Sequence, residues 1–498
     1  MRATLTDGRL GARPSAALVE HVNGLELTDE LAGAEEYVLM DIAHAVMLTH
    51  QRIFTEDHGR ALVTALLGLL DKGPRAILAG DPEIGTITLQ IERYLEDQCG
   101  PGGLDIQRAR SRIDQKATGW RLINRKAFLT VMAELIVLGE TLLDAAEHYD
   151  SVLIPGYTHL QHSQPSTLGH YFNAHYWAVS RNLSRLEQAY ERLNESPLGG
   201  AAYSGTSWPI DREATASYLG FDRPIPNARD AGAAATDMGA ELAATLGLAL
   251  SGISRLASDL YYWSSTEVGL VRIHPSLCGT SSMMPQKRNP MVFERIRGLA
   301  GSAVGWSASQ LGVMHTSTST DVDQCYVHNL IPGYCQETTG AITLLTEAIA
   351  TLEVNVEAMK ASAGRHWSTA SALADDLALS HGLSFRPAHD LVARFVTAHE
   401  TSDVPDGTLN PELGEAPLQH YSAQRLSSVL DPEAFVESRI SRGGTSKVRR
   451  QELAAEAGTD LEAHRRLVDS LAAHLLQARE RLLHDAALIA ADGTEHTP

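Results

Sequence analysis

A long stretch without proline decides the fold class: residues 233–267 read AAATDMGAELAATLGLALSGISRLASDLYYWSSTE. Apolar side chains recur in it at every third or fourth position. They are Leu242, Leu246, Leu250, Ile253, Ala257 and Leu260. Because this spacing puts them on one face of an α-helix, the stretch predicts an amphipathic helix. At about 1.5 Å per residue, that helix would be a rod of roughly 50 Å.

Three further stretches share this pattern. They run from Leu122 to His148, from Leu168 to Leu193 and from about Thr338 to Ala363. Helices this long and this apolar usually pack against one another, often between subunits. The sequence therefore predicts an all-α fold with a long central helical bundle. The periodicity alone also fits a bundle that carries no chemistry.

The segments between these helices are rich in glycine, proline and serine. We interpret residues 196–230, 271–290 and 315–323 as loops. Irregular loops of this length in a compact protein are more often functional than simple connectors.

The pattern also changes near residues 112 and 366. We therefore predict an N-terminal helical domain at 1–112, a central long-helix bundle at 113–365 and a C-terminal helical domain at 366–498. The prolines after residue 366 indicate that the last domain is built from shorter helices.

The charge balance limits the kinds of partner. The chain has 498 residues, of which 61 are acidic and 41 basic, so its formal net charge is −20. Without an excess of cations to neutralise phosphates, we expect no nucleic-acid partner, whereas a small anionic substrate needs only a few local cations. The sequence has no run of about 18 apolar residues, so we expect no membrane partner. Its first residues lack the pattern of a signal peptide, which makes the cytoplasm the simplest location.

The four cysteines predict neither a disulfide framework nor a zinc site. They are Cys99, Cys278, Cys325 and Cys335, and no two of them form a CxxC pair. Disulfide-stabilised proteins are usually short and dense in cysteine, and structural zinc sites need closely spaced ligands.

The most informative loop reads GTSSMMPQKRNP over residues 279–290, directly before a helical pattern. Small residues let backbone N–H groups approach a ligand, and a following helix N-terminus favours an anion. Lys287 and Asn289 could then hold a carboxylate. The alternative is a flexible surface loop with a basic tip.

Two other segments carry polar groups that suit a dicarboxylate. Residues 156–165 read GYTHLQHSQP, in which Thr158 and His159 follow a turn and His159 could exchange protons near neutral pH. Residues 109–115 read ARSRIDQ, in which Arg112 could bind a carboxylate through two hydrogen bonds. Taken alone, His159 equally fits a structural histidine, and Arg112 a surface ion pair.

The order and separation of these segments resemble the fumarase/aspartase superfamily. Residues 280–290 are similar to its signature G-S-S-x-M-P-x-K-x-N-P, and the chain is most similar to the argininosuccinate lyase family within it. The resemblance covers roughly residues 36–450. The supporting stretches are 109–115, 155–165, 196–230, 281–298, 369–396 and 431–444.

This resemblance implies a three-domain, mostly helical subunit that assembles as a homotetramer around a twenty-helix core. Each active site would be built from segments of three subunits. The resemblance implies neither a metal nor an organic cofactor. The implied reaction is an anti β-elimination from an N-succinyl group, which breaks a C–N bond and releases fumarate with an amine, amidine or guanidine.

The resemblance also implies residue roles, with Ser281 as the base that removes the Cβ proton as an alkoxide. Because a free serine does not ionise at neutral pH, the loop has to stabilise the oxyanion through backbone N–H groups and nearby cations. Lys287 and Asn289 would stabilise the aci-carboxylate that proton loss creates. His159, paired with Glu294, would help to protonate the leaving nitrogen. The residues that would bind the dicarboxylate substrate are Ser111, Arg112, Thr158, Gln164 and Ser282.

The sequence departs from the family pattern at two places in these motifs. The family's Thr-Gly before the paired serines appears in swapped order, as Gly279-Thr280. The asparagine of the family's Arg-Asn-Asp becomes Ile113, which cannot form the same hydrogen bonds.

The end of the site that would hold the amine differs more. By resemblance, Asp41, Thr318 and Asp323 occupy positions that contact the arginine part in the family, so two carboxylates replace neutral groups. We expect them to repel an α-carboxylate, which predicts a succinylated amine, amidine or guanidine that lacks this group.

Three alternatives remain at this point. The chain could be a true argininosuccinate lyase of arginine biosynthesis. It could be a catalytically silent structural protein on the same scaffold, or another superfamily member such as an aspartase-like or adenylosuccinate-type lyase.

Overall fold

The structure is a computed structural model that describes residues 12–78, 80–234, 237–315, 329–402, 404 and 407–491. Apart from single-turn segments, its α-helices in chain order are α1 (Gly24–Ala32), α2 (Ala34–His50), α3 (Glu56–Asp71), α4 (Ile87–Cys99), α5 (Arg112–His148), α6 (Leu168–Leu193), α7 (Arg212–Tyr218), α8 (Asp237–Trp263), α9 (Met291–Val313), α10 (Ile331–Ala350), α11 (Val356–Ala363), α12 (Ala370–His381), α13 (Phe385–Glu400), α14 (Ala423–Val429), α15 (Pro432–Glu437) and α16 (Lys447–Ala491).

The strands are short and lie in two-stranded pairs. They are β1 (Leu153–Thr158), β2 (Gln161–Thr167), β3 (Glu195–Ser196), β4 (Arg223–Pro224), β5 (Val271–Arg272), β6 (Gly279–Thr280), β7 (Arg288–Asn289) and β8 (Glu353–Val354). The pairs β1–β2, β5–β8 and β6–β7 are antiparallel, and β3–β4 is parallel.

Five long helices, α5, α6, α8, α9 and α10, pack together as the central bundle. The apolar face predicted for residues 233–267 is buried in it at Leu242, Leu246, Leu250, Ile253, Ala257 and Leu260. The face of α6 is buried in the same core through Phe172, Tyr176 and Leu183. The all-α fold with a long central bundle is therefore confirmed.

Local signals set where α5 begins. The hydroxyl of Ser111 caps the first turn, while the backbone N–H of Ser111 donates to Asp114 Oδ1 at 2.8 Å, which together form a capping box. The helix therefore begins well before Leu122, where the apolar pattern starts. This places Ser111 and Arg112 at the end of a 37-residue rod.

The predicted helix from Thr338 to Ala363 was wrong in one respect, because two helices with a break occupy this stretch. α10 ends at Ala350, and β8 then pairs Val354 with Val271 of β5. Asn355 caps the helix that follows, α11, by accepting the N–H of Ala358 at 3.2 Å. Pairing with β5 makes Glu353 and Val354 a strand, although the helix-like spacing of apolar residues continues through them.

The prediction of only shorter helices after residue 366 was also wrong. α16 has 45 residues and packs back along α5 and α6 as well as α2 and α3 of the N-terminal part. The sequence held a signal for it, since no proline occurs between Pro432 and Pro498.

A small separate core lies in the C-terminal part and includes Leu373, Leu377, Phe395, Leu418 and Leu426. The three domain boundaries themselves remain a prediction. In the part of the chain that the structure describes, no helix combines the length and apolarity needed to cross a membrane.

Candidate active site

The superfamily signature forms a short hairpin directly ahead of α9. Its two strands place Gly279 opposite Asn289 and Thr280 opposite Arg288. Residues 282–288 are exposed at the tip. The predicted loop is thus a short hairpin whose two ends are joined by strand pairing.

Ser281 lies at the start of this tip, where its hydroxyl accepts two backbone hydrogen bonds. The N–H of Met283 donates to Ser281 Oγ at 3.3 Å, and the N–H of Met284 donates at 3.0 Å. Donors aimed at one oxygen favour negative charge on it. The loop therefore has the backbone arrangement that an alkoxide at Ser281 needs.

In the swapped Gly279-Thr280 order, Gly279 lies against the side chain of Met291, the first residue of α9. A Cβ atom at position 279 would displace this exposed and flexible side chain, so packing alone does not explain the swapped order.

Of two further residues assigned by resemblance, Lys287 lies at the tip of this hairpin and Glu294 lies just after it. The Lys287 side chain is exposed, and no carboxylate pairs with it among the residues described. Glu294, in the first turn of α9, accepts a hydrogen bond from the Tyr261 hydroxyl at 3.4 Å. Tyr261 was missed by the sequence interpretation, and nothing in its surroundings would have identified it.

The second hairpin, β1–β2, carries His159 at its tip. His159 and Leu160 have φ of +55° and +59°, as both central residues of a type I′ turn require. Thr158 and His159 are exposed there. Gln164, further along β2, donates to the hydroxyl of Ser371 at 3.2 Å. The hairpin therefore presents His159 outward from its own chain.

Tyr157 and His162 pair with each other across this hairpin, next to the Thr158–Gln161 pair. Their ring centroids lie 5.0 Å apart, and the His162 ring lies 4.7 Å from that of His366. Burial and the nearby charge of His366 lower the pKa of His162. The lowered pKa favours a neutral His162 ring at pH 7. Packed between Tyr157 and His366, this ring has a structural role in the hairpin.

Ser111 and Arg112 lie at the N-terminal end of α5, where Asp114 holds the backbone. Asp114 is fully buried, and its Oδ2 accepts the N–H groups of Gly199 and Ala201, both at 2.9 Å. Burial raises the pKa of Asp114 to about 6, although its backbone hydrogen bonds act to lower it. Asp114 thus caps α5 with one carboxylate oxygen and binds the glycine-rich segment after α6 with the other.

The Arg112 guanidinium lies near a carboxylate of its own chain. Its Nη2 is 4.0 Å from Glu26 Oε1, while 42% of its side chain is exposed. Glu26 also forms a buried ion pair with Lys116. Arg112 is therefore accessible to a substrate carboxylate.

Ile113 packs against the segment before α8 instead of offering a polar group. A Cβ atom at Gly232 would lie 3.0 Å from Ile113 Cγ2. The hydrogen bonds that the family's asparagine would form at this position are accordingly missing.

Asp41 is buried, whereas its predicted role as a ligand contact requires a side chain that a ligand can reach. Its side chain is 2% exposed and pairs with the fully buried guanidinium of Arg110 at 2.5 Å. A ligand could reach the Asp41 carboxylate only if this pair opened. The charge of Asp41 is balanced by that of Arg110 in a single chain, and the expected repulsion of an α-carboxylate by Asp41 stays a prediction.

The remaining predicted contacts are those of His159, Glu294, Thr318, Asp323, Ser282 and Asn289. No hydrogen bond or ion pair joins His159 to Glu294 in the described ranges. Thr318 and Asp323 lie outside the described residues. Ser282 is exposed at the hairpin tip, and Asn289 is half-buried at its base. Pairing of His159 with Glu294 across subunits stays a prediction.

Asp114 and Arg110 are the residues that the sequence interpretation undervalued. The pattern Ser-x-x-Asp at Ser111 to Asp114 was a visible capping signal. The partner of Arg110 was not visible, since Asp41 is 69 positions away.

Comparison with known proteins gives two family matches. A family described as lyase matches residues 91–305, and one described as argininosuccinate lyase C-terminal matches residues 367–437. An argininosuccinate lyase of Methanoculleus marisnigri is 37% identical over 450 residues, covering 88% of this chain and 89% of that protein. The argininosuccinate lyase of Hyphomonas neptunium is 35% identical, covering 90% and 96%.

Solved structures agree on the fold. EDDS lyase in complex with formate superposes with a TM-score of 0.86 at 27% identity and covers 98% of both chains. A fumarate lyase from Mesorhizobium sp. BNC1 superposes with a TM-score of 0.72 at 20% identity, covering 87% of this chain and 98% of that one. An EDDS lyase variant with bound fumarate gives a TM-score of 0.85.

Proposed function

The chain belongs to the argininosuccinate lyase family and is a carbon–nitrogen lyase that releases fumarate, and we propose that its amine product is not arginine. The substrate is an N-succinyl compound whose amine part makes fewer polar contacts with the protein. The alternatives of a silent scaffold and of an aspartase-like or adenylosuccinate-type lyase receive no support from the comparisons.

The observation that carries this proposal is the state of Asp41. By resemblance it occupies a position that contacts arginine, but its carboxylate is bound to Arg110. A site that holds a polar ligand group through hydrogen bonds loses much of its preference when the partners are missing. Loss of contacts, in addition to any repulsion from Asp323, therefore argues against arginine.

EDDS lyase supports this proposal. It shares the fold over nearly the whole chain and is named for EDDS, not for argininosuccinate. The scaffold therefore accommodates lyases with different amine parts.

In the proposed reaction, the Ser281 alkoxide removes the proton from Cβ of the succinyl group. The N–H groups of Met283 and Met284 stabilise the alkoxide before it reacts. The electron pair of the broken C–H bond moves towards the adjacent carboxylate and gives the aci-carboxylate dianion.

Lys287 and Asn289 stabilise the charge that develops on this carboxylate. Stabilising it more than the ground state is what accelerates the reaction. The dianion then forms the C=C bond of fumarate as the C–N bond breaks, and the leaving nitrogen takes up a proton. His159, paired with Glu294 of another subunit, takes part in that transfer.

The substrate carboxylates bind at two places. Ser111 and Arg112 form the first, which we call the carboxylate clamp, and the accessible guanidinium of Arg112 supports this assignment. Thr158, Gln164 and Ser282 complete the binding of the dicarboxylate.

A homotetramer with shared active sites is part of this proposal. The exposed apolar side chains of Leu248 on α8 and of Val304 and Leu311 on α9, which are 51%, 70% and 50% exposed, support coverage by other copies. Four bundles of five helices would give the twenty-helix core. A cytoplasmic location remains a prediction from the sequence.

The test is to follow fumarate by its ultraviolet absorbance. Purified protein is mixed with argininosuccinate, and separately with fumarate and a panel of amines, amidines and guanidines that includes arginine. The Ser281→Ala variant serves as the blank. We expect little turnover of argininosuccinate and consumption of fumarate with another amine.

Rapid release of fumarate from argininosuccinate would overturn the proposed amine specificity and leave an argininosuccinate lyase. Inactivity in both directions with every amine would contradict the proposed reaction itself.

A further inference from the structure

The backbone that leads into the carboxylate clamp is held by buried side chains of α2. His44 Nε2 lies 2.8 Å from the carbonyl oxygen of Arg108 and donates a hydrogen bond to it. Burial, followed by the charge of Arg110, lowers the pKa of His44 well below its usual value. A lowered pKa favours the neutral ring, whose Nε2–H tautomer can donate to this carbonyl.

Arg110 provides the second attachment. Its Nη1 donates to Asp41 Oδ1, and its Nη2 donates to the carbonyl of Ile106 at 2.8 Å. Arg110 directly precedes Ser111, so these bonds fix the direction in which the chain enters α5. Asp41 lies one helical turn before His44, so α2 holds the segment at two residues, Arg108 and Arg110.

The segment between these attachments is strained. Ala109 has φ of +64°, a left-handed conformation that is energetically unfavourable for a residue with a Cβ. Such a conformation persists only where its surroundings impose it. The bonds from His44 and Asp41 lie on either side of Ala109 and supply this constraint.

We infer that Asp41 is a positioning residue that acts through Arg110 on the carboxylate clamp of Ser111 and Arg112, and that it does not contact the amine. The inference rests on the proposed function and goes beyond it, because it assigns Asp41 to the fumarate end of the reaction. A substrate-binding group that moves by about 1 Å can cost on the order of 100-fold in rate. Loosening the Asp41–Arg110 pair should therefore weaken binding at the clamp.

Kinetics in the direction of amine addition separate the two ends of the site. We expect Asp41→Asn to raise the KM for fumarate about tenfold to hundredfold while leaving the KM for the amine within about twofold. A direct contact between Asp41 and the amine predicts the reverse. An unchanged KM for fumarate together with an altered KM for the amine would overturn the inference.

A second variant keeps the test decisive if Asp41→Asn does not fold. Arg110→Lys keeps the cation but cannot bridge Asp41 and Ile106 in the same planar geometry. It should also raise the KM for fumarate selectively, by about threefold to tenfold. Equal KM values for wild type and Arg110→Lys would contradict the inference.

The matched control is Glu187→Gln. Glu187 forms a half-buried ion pair with His464 between α6 and α16, and neither residue is assigned to the site. This variant should lower the thermal midpoint without changing either KM. Wild-type activity on fumarate plus amine is the separate test of the proposed function, so failure of that reaction is distinguishable from failure of this inference.

Discussion

The start of α5 and the signature hairpin contribute to the same proposed site, yet they are built in opposite ways. At the start of α5, Asp114 and Arg110 are buried and form hydrogen bonds with backbone and carboxylate partners. At the hairpin, residues 282–288 are exposed, and within the described ranges the hydroxyl of Ser281 accepts hydrogen bonds from two backbone N–H groups.

The difference indicates a division of labour between binding and chemistry. A clamp for carboxylates benefits from fixed geometry, because binding then costs little further ordering. A reactive oxyanion needs donors aimed at it and exclusion of water. The donors are present in one chain, and other subunits of the proposed tetramer would exclude the water.

The largest expected effect comes from removing the base at the exposed hairpin. Ser281→Ala should lower kcat by at least about 10³-fold, equivalent to roughly 4 kcal/mol of transition-state stabilisation. The thermal midpoint should stay within about 1 °C, because the side chain is part of an exposed loop and not of the core. Initial rates of fumarate formation and a thermal melt measure both quantities.

Ser428→Ala is the control for Ser281→Ala, since Ser428 is exposed on α14 and has no assigned role. It should leave kcat unchanged. Retained turnover in Ser281→Ala would remove this serine from the role of base.

A smaller effect, on stability, is expected at the buried region. Asp114→Asn places an amide nitrogen either against the N–H of Ser111 or against those of Gly199 and Ala201. A buried donor without an acceptor costs about 1–3 kcal/mol, so we expect a loss of about 2–4 kcal/mol in the free energy of unfolding. Urea unfolding measures it.

Asp431→Asn provides the comparison for Asp114→Asn. Asp431 is an exposed cap of α15, and asparagine caps helices about as well as aspartate, so the loss should stay below about 0.5 kcal/mol. Equal losses at the two positions would contradict the distinction between the buried and the exposed carboxylate.

The smallest effect is a pH dependence at Glu92, which lies near the Asp41–Arg110 pair. Burial raises the pKa of Glu92 from 4.5 to about 7, with Arg110 lowering it and Asp41 raising it. As pH rises from 4.5 to 7, the unfolded chain loses this proton while the folded chain keeps it, so stability falls across that window.

Glu92→Gln should remove this dependence. Relative to wild type, it should gain on the order of 2 kcal/mol in the free energy of unfolding between pH 5 and pH 8. Glu83→Gln, at an exposed position, should show no such gain. A parallel pH dependence of wild type and Glu92→Gln would show that Glu92 does not titrate in this window.

Much of the fold could be predicted because helical periodicity is local. The bounds of α6, Leu168 to Leu193, agree with the prediction, and the buried face of α8 agrees residue by residue. The break at Leu352 to Asn355 could not be predicted, because pairing between Val354 and Val271 joins positions far apart in sequence.

In the candidate site, too, local features could be predicted from the sequence and contacts between distant positions could not. The sequence by itself determined the family and the class of reaction, and it predicts the role of Ser281, because these depend on residue types in contiguous motifs. The tertiary structure alone decided that Asp41 is neutralised by Arg110 and that Asp114 joins α5 to Gly199 and Ala201. The physical reason is that a buried charge is stabilised by whichever partner the fold brings within hydrogen-bond distance. That partner can be far away in sequence, so the neighbouring residues along the chain do not identify it.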